Sequence, residues 1–336
     1  MKFKKEYLVL LLIIVALSVY LAVRTEDRTN FELPRPAEVD AQKIDRIVLS
    51  KGSQTIELTR QDDQWRIAPK DYPADNVKVK NMVKAAADLT ITDLISESGN
   101  YDRYNLTDDK KIKVQAFAGK ENVRNFDVGG ESQTYQHTFI RLGDDPKVYQ
   151  ARGRLDQSFN QTVDGLRDLT VLSFQKSDMT GVTIEKGAQS LVLSLKEIPV
   201  EEKAPAEEKE KQETPKEEKN ASAKSEPQWQ DPAGQAVDQP AVERLLSDFS
   251  TFKCTQYMAD DAAQALQNPL WTLTFQGAKG PHSLSVFDKQ DAEATEFPAR
   301  SSDSPYAFKI AKSKVESIEK QMDKLLGPEP EQKTEK

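Results

Sequence analysis

Few residues in this chain can do chemistry, and they are scattered. His137 and His282 are the only histidines and Cys254 the only cysteine among 336 residues. Neither histidine has a second His, Cys or carboxylate at a ligating spacing such as His-Glu-x-x-His, so the chain spells out no zinc set. Ser173-Phe174-Gln175-Lys176 has the Ser-x-x-Lys spacing of a nucleophile and its base, but the companion Ser-Asp-Asn and Lys-Thr-Gly motifs are missing. A Gly-x-Ser-x-Gly elbow, a P-loop and a dinucleotide fingerprint are also missing. Gly129-Gly130 opens no helix after a strand and reads as a turn, not a phosphate cradle. Asp62-Asp63, Asp108-Asp109, Asp144-Asp145 and Asp260-Asp261 adjoin turns, where Asp bonds to its own backbone, and none has the alternation and final Glu of a calcium loop. Cys254, with no cationic neighbour in sequence, reads as a small buried hydrophobe. The expectation is a chain with no catalytic, cofactor-binding or metal-binding residues, no cofactor and no enzymatic activity; its binding residues cannot be assigned from sequence.

The elements around these residues begin with an uncharged apolar run at residues 7–23. As a helix it rises about 26 Å against roughly 30 Å of bilayer hydrocarbon, and Lys5 and Arg24 bracket it with stems long enough to reach the headgroups. Lys2, Lys4 and Lys5 precede the run, while Arg24 and Arg28 follow it among Glu26 and Asp27. That bias predicts a cytoplasmic N-terminus and an exported remainder. The small-x-small site that a cleaved signal peptide needs, Ala16-Leu17-Ser18, lies inside the run, so an uncleaved anchor is the better reading. No cysteine immediately follows it to carry a lipid.

Beyond a polar stalk with Pro34 and Pro36, the chain is long enough for two domains. A net charge of −8 argues against nucleic acid, which needs a concentrated basic face. With one cysteine, no intramolecular disulfide can form. From Ile44 the apolar residues alternate, turn at Lys51-Gly52-Ser53 and alternate again to Leu58, which predicts a hairpin; Trp65-Arg66-Ile67 follows as a third strand. Asp75 is placed to cap a helix carrying Val77, Val79, Met82, Val83, Ala86 and Leu89 at helical spacing. Strands are predicted at 112–117, 123–128, 138–142 and 147–150, then a helix with Leu155, Phe159 and Val163.

The second half repeats this grammar. Residues 182–193 lie over 47–58 with Gly187 matching Gly52, and Trp229 stands for Trp65. The helix 240–252 matches the one after Asp75. Residues 271–276 and 283–287 repeat the next strand pair, Phe297-Pro298-Ala299-Arg300 stands for Phe139-Ile140-Arg141, and 313–326 is the closing helix. Residues 201–226 interrupt the repeat with Glu, Lys, Ala, Pro and Ser, a composition unable to offset its own ordering.

The expected class is therefore α+β: one transmembrane helix, then two related units, each of antiparallel hairpins in a small sheet with packing helices. The expected domains are a cytoplasmic tip and anchor at 1–24, a stalk at 25–43, a first unit at 44–176, a second at 177–326 with a disordered insertion at 197–227, and a tail at 327–336.

Several of these segments resemble one known family, the DUF4340 domain proteins: Ile44-Asp45-Arg46-Ile47, the turn and strand to Leu58, Trp65, Tyr104-Asn105-Leu106, Phe139-Ile140-Arg141 with Val148-Tyr149, and Leu166-Arg167-Asp168 leading to Phe174. The likeness covers residues 44–174 well and the second unit loosely, and Asn105 stands where the family pattern has Gly. The resemblance implies an anchor followed by repeats of this build, association with ABC-type export systems of the gliding-motility auxiliary kind in bacterial envelopes, and no enzymatic activity. The functional expectation is a non-enzymatic accessory protein of the inner membrane, its C-terminal domains periplasmic, its partners integral membrane or envelope proteins such as ABC-type transporter subunits. The alternatives are an envelope hydrolase using Ser173 or a carboxylate pair, and a solute-binding module using a cleft between the units.

Overall fold

The computed structural model describes residues 5–24, 33–199, 225–289, 291 and 293–327. The chain divides into two compact units, Met1–Asp168 and Leu169–Lys336.

The first unit begins with helix α1 (Lys5–Arg24). The side chains at both of its ends lie outside the described residues, and among the described residues no helix is long and apolar enough to cross a membrane. The expected span over residues 7–23 is thus helical, but the structure gives it no support as a crossing. Nine strands follow: β1 (Arg46–Lys51), β2 (Gln54–Gln61), β3 (Gln64–Ala68), β4 (Tyr72–Pro73), β5 (Ile91–Ser96), β6 (Ile112–Ala118), β7 (Glu121–Glu131), β8 (His137–Leu142) and β9 (Val148–Arg152). They form one antiparallel sheet in the order β4-β3-β2-β1-β6-β7-β8-β9-β5, much wider than the small sheet expected. Alternation in β1 and β2 sends Ile47, Leu49, Ile56 and Leu58 to the buried face. Lys51 pairs with Gln54, leaving a two-residue turn whose Gly52 has φ +56°, a left-handed conformation a side chain would resist.

Helix α2 (Asn76–Ala87) starts where Asp75 predicts, its carboxylate accepting the N–H groups of Val77 and Lys78 at 3.0 and 3.1 Å. It buries Val79, Met82, Val83 and Ala86, but Val77 is 70% exposed and not part of the stripe. Asn76 Oδ1 accepts the Trp65 N–H at 2.9 Å, fastening the helix start to β3. The chain then crosses to the far edge as β5, a strand beyond those predicted. The single closing helix expected near Leu155 is two short ones, α3 (Leu155–Phe159) and α4 (Val163–Leu166). Thr162 breaks it by capping α4, its hydroxyl accepting the Gly165 N–H at 3.0 Å.

The second unit opens with β10 (Thr170–Ser173), then β11 (Met179–Lys186), β12 (Gln189–Pro199), β13 (Ser225–Gln230), helix α5 (Gln239–Phe249), β14 (Thr251–Lys253), β15 (Gln256–Tyr257), β16 (Trp271–Gly277), β17 (Gly280–Val286), β18 (Glu296–Ser301), β19 (Ser304–Ala311) and helix α6 (Lys312–Leu326). Its sheet runs β13-β12-β11-β16-β17-β18-β19-β15, the order of the first sheet from β3 to β5. The local devices repeat too. Lys186 pairs with Gln189 around Gly187, Asp238 caps α5, and Gln239 Oε1 accepts the Trp229 N–H at 2.8 Å. β10 pairs with β14, so residues 169–176 fold with the second unit and not, as expected, with the first. β12 and β13 stay paired out to Pro199 and Ser225. Residues 197–199 and 225–227 are therefore strand, and the rest of the expected insertion lies outside the described residues, as do 25–32 of the stalk and 328–336 of the tail.

Candidate functional site

The Ser-x-x-Lys spacing does not become a nucleophile and base. Lys176 Nζ donates to Ser247 Oγ at 3.0 Å, while Ser173, exposed in β10, donates its backbone N–H to Asp303 Oδ2 at 3.1 Å. Asp303 is the carboxylate that sequence spacing failed to give His282. β17 and the β18–β19 turn bring the two together, with His282 Nδ1 2.9 Å from Asp303 Oδ2. The Ser302 hydroxyl donates to Asp303 Oδ1 at 2.8 Å and also accepts the Ser283 N–H at 2.9 Å. The Phe174 ring lies 5.5 Å from the imidazole, and Ser301 Oγ donates to the Val171 carbonyl. A histidine held by a carboxylate supplies two members of a catalytic triad, but the Ser302 hydroxyl beside them donates to that same carboxylate. The arrangement works as a clamp joining β10, β17 and the β18–β19 turn.

The other candidates separate widely. His137 opens β8, with Nδ1 3.3 Å from Oγ1 of Thr134 in the β7–β8 loop. Cys254 is buried. No three His, Cys, Asp or Glu side chains come together as a metal site among the described residues. Gly129 and Gly130 are not a turn but lie within β7, beside a register shift between Val128 and Glu131. The loop Tyr104-Asn105-Leu106 packs directly on them. A β-carbon on Gly129 would collide with the Tyr104 carbonyl oxygen, and one on Gly130 would lie 2.8 Å from Asn105 Nδ2.

Of the acidic pairs, Asp144-Asp145 shows why Asp stands there. Asp145 accepts the Lys147 N–H at 3.0 Å and the Tyr149 hydroxyl at 2.7 Å. Burial raises the Asp145 pKa, but these bonds and the Lys147 charge outweigh it and hold the carboxyl below its ordinary value. Burial first, and then the bond to Asp145, push the Tyr149 hydroxyl up to about 12. The depressed carboxyl adds stability above its unfolded pKa and loses it as pH falls through the folded one. The raised phenol adds stability that is complete below pH ~10 and lost as pH climbs toward about 12. Tyr149→Phe should therefore destabilise by about 1.5 kcal/mol at neutral pH. In urea titrations the gap between variant and parent should close as pH climbs toward about 12; a gap that stays unchanged there contradicts the pairing.

A buried charge cluster lies in the same unit. Asp127, 4% exposed, accepts Arg141 Nη2 and Nε at 2.6 and 3.1 Å, with Lys111 Nζ 3.4 Å away.

A small hollow lies where the β1–β2 turn meets the end of α3. It measures about 240 Å³, is floored by Leu49, Ile56, Ile112 and Phe159, and has Lys51 at its rim. A polar groove of about 430 Å³ adjoins it, sharing Lys51, Ile112 and Asn160 and adding Asn105, Lys110 and Glu131. Lys51 Nζ donates to Asn160 Oδ1 at 2.9 Å. The floor residues are each 8% exposed or less, and the groove sets Lys51 and Lys110 among Asp109, Glu131 and Asp156. A larger open hollow of about 1070 Å³ lies between residues 33–36 and 89–91.

The family model described as "Domain of unknown function (DUF4340)" covers residues 65–269. No curated protein and no solved structure matches the chain.

Proposed function

We propose, from the premise that this chain belongs to the DUF4340 family, that it is a membrane-anchored extracytoplasmic binding protein serving an ABC-type transport or envelope-assembly complex. The observation that carries this reading is the apolar surface of α1. Leu11, Leu12, Ile13, Ile14 and Val15 are consecutive, so they point around the whole helix, and each is more than half exposed. A helix apolar on every face belongs in a protein core or in lipid. The lysines ahead of it favour a cytoplasmic N-terminus. The ABC-type partner class comes from the resemblance of residues 44–174 to that family.

Protease added outside spheroplasts should digest the chain beyond Arg24, and alkaline carbonate should leave the intact protein in the membrane pellet. Protection from protease, or release by carbonate, would refute the topology. A C-terminally tagged chain purified from detergent-solubilised membranes should bring down an ABC-type membrane subunit; repeated recovery without one counts against the partner class.

A further inference from the structure

Residues 97–111 connect the edge strand β5 to β6, a course that takes them past β9, β8 and β7. Among the described residues, every backbone-to-backbone bond of this strap closes within it. The Leu106 N–H donates to the Tyr101 carbonyl at 2.9 Å, and the Lys110 and Lys111 N–H groups donate to the Thr107 carbonyl at 3.0 and 2.9 Å. Lys110 Nζ meets Asp102 at 2.6 Å, tightening the same knot.

Side chains fasten the strap to the sheet. The Tyr101 hydroxyl donates to the Pro146 carbonyl at 3.0 Å, the Tyr104 ring stands edge-on to Phe139 at 4.9 Å, and Lys111 reaches Asp127 at 3.4 Å. Leu106, 1% exposed, is the strap's single buried residue, and residues 97–100 are all exposed. The strands below it are held far more firmly, by a ladder from Ile112 to Ala118 and by Phe126 and Val128 at 1% and 0% exposed. The strap is also a wall: its Asn105, Asp109 and Lys110 face Lys51, Asp156 and Asn160 around the groove of about 430 Å³.

We propose that residues 97–111 are a lid: they lift off the sheet as one piece while the sheet stays folded, and lifting widens the groove. A segment that is bonded to itself and buries one side chain separates at a smaller cost than the strands it covers. The exposed residues 97–100 supply one hinge and the junction of Lys111 with β6 the other. Gly129 and Gly130 set the closed position, since a β-carbon on Gly129 would strike the Tyr104 carbonyl oxygen and the Leu106 side chain. The inference goes beyond the binding-protein reading and needs neither the anchor nor the ABC-type partner.

The test is thiol labelling of the full chain in detergent, in a Cys254→Ala background, over urea concentrations below the unfolding transition. A thiol introduced by Leu106→Cys should react at least a hundredfold faster than one introduced by Val114→Cys in the core. Its rate should be nearly flat in urea, because lifting the strap uncovers little surface, whereas the core thiol's rate should climb steeply. Hydrogen exchange of the Leu106 amide in the parent should be equally flat, which shows that the cysteine itself does not cause the opening. Adding Gly129→Ala should speed labelling at position 106 at least tenfold and leave position 114 unchanged. It should also speed the reaction of an Asn160→Cys thiol in the groove with a bulky polymer maleimide. Labelling or exchange at position 106 with the urea slope of the core overturns the proposal, as does a Gly129→Ala effect equal at 106 and 114. An Asn160→Cys rate indifferent to Gly129→Ala overturns the widening of the groove.

Discussion

Asp127→Ala should cost the first unit about 3–5 kcal/mol, the penalty for stranding buried charge. The carboxylate is 4% exposed and takes two bonds from one guanidinium, and Lys111 lies within ion-pair distance of the same oxygen. Removing it strips Arg141 of its carboxylate and leaves Lys111 with Asp108 alone, 2.7 Å away. Asp127→Asn keeps the shape and loses the charge, so it should recover little. Because Trp65 is the only tryptophan of the first unit and Trp229 and Trp271 belong to the second, each transition can be followed separately in urea. The Trp65 signal, read in a Trp229→Phe, Trp271→Phe background, should move to lower urea, while the Trp229 and Trp271 signals, read in a Trp65→Phe background, should stay in place. A change below about 1 kcal/mol would place the cluster among solvated surface pairs.

Arg124→Met should cost about 3 kcal/mol, on the scale of several unsatisfied carbonyls, even though it keeps most of the buried aliphatic stem. Arg124 is 7% exposed and spends its guanidinium on backbone oxygens. Nε donates to Ala86 O and Nη2 to Ala87 O, each at 3.0 Å, both in the last turn of α2. Nη1 donates to Val123 O at 3.0 Å, and Nη2 also reaches Ala37 O. One cation thus caps a helix C-terminus, favourable against its dipole, and ties down the incoming segment. The variant should lose helix α2 early and be cut by protease between residues 33 and 40 far faster than the parent. Equal cleavage rates would show that the segment is held by something else.

Much of the scaffold could be read from the sequence because it rests on local rules. The Lys-Gly turns, the capping Asp75 and Asp238, and the Trp65/Trp229 correspondence each depend on a few neighbouring residues. What escaped depends on distant pairing. Nothing near His282 announces Asp303, because a chain reversal brings them together. Gly129-Gly130 looked like a turn because two glycines usually mark one; they are small because a distant loop lies on them. Asn105, standing in place of a glycine, keeps the left-handed backbone with φ +54° that a glycine would adopt there. Leu155, Phe159 and Val163 kept helical spacing across a break set by one threonine hydroxyl. The candidate hollow was illegible for the same reason: its lining, Leu49, Ile56, Ile112 and Phe159, comes from segments far apart in the chain.

The pairing of Pro199 with Ser225 has a practical consequence. The backbone leaves the ladder and re-enters it at facing positions, so both ends of residues 200–224 are pinned about one strand spacing apart, roughly 5 Å. Any passenger spliced between those anchors, whether a fluorophore tag, an epitope or a folded module with neighbouring termini, pulls on a single rung and cannot lever the strands apart. The second unit thus offers a graft port through which the molecule can be labelled without touching either core.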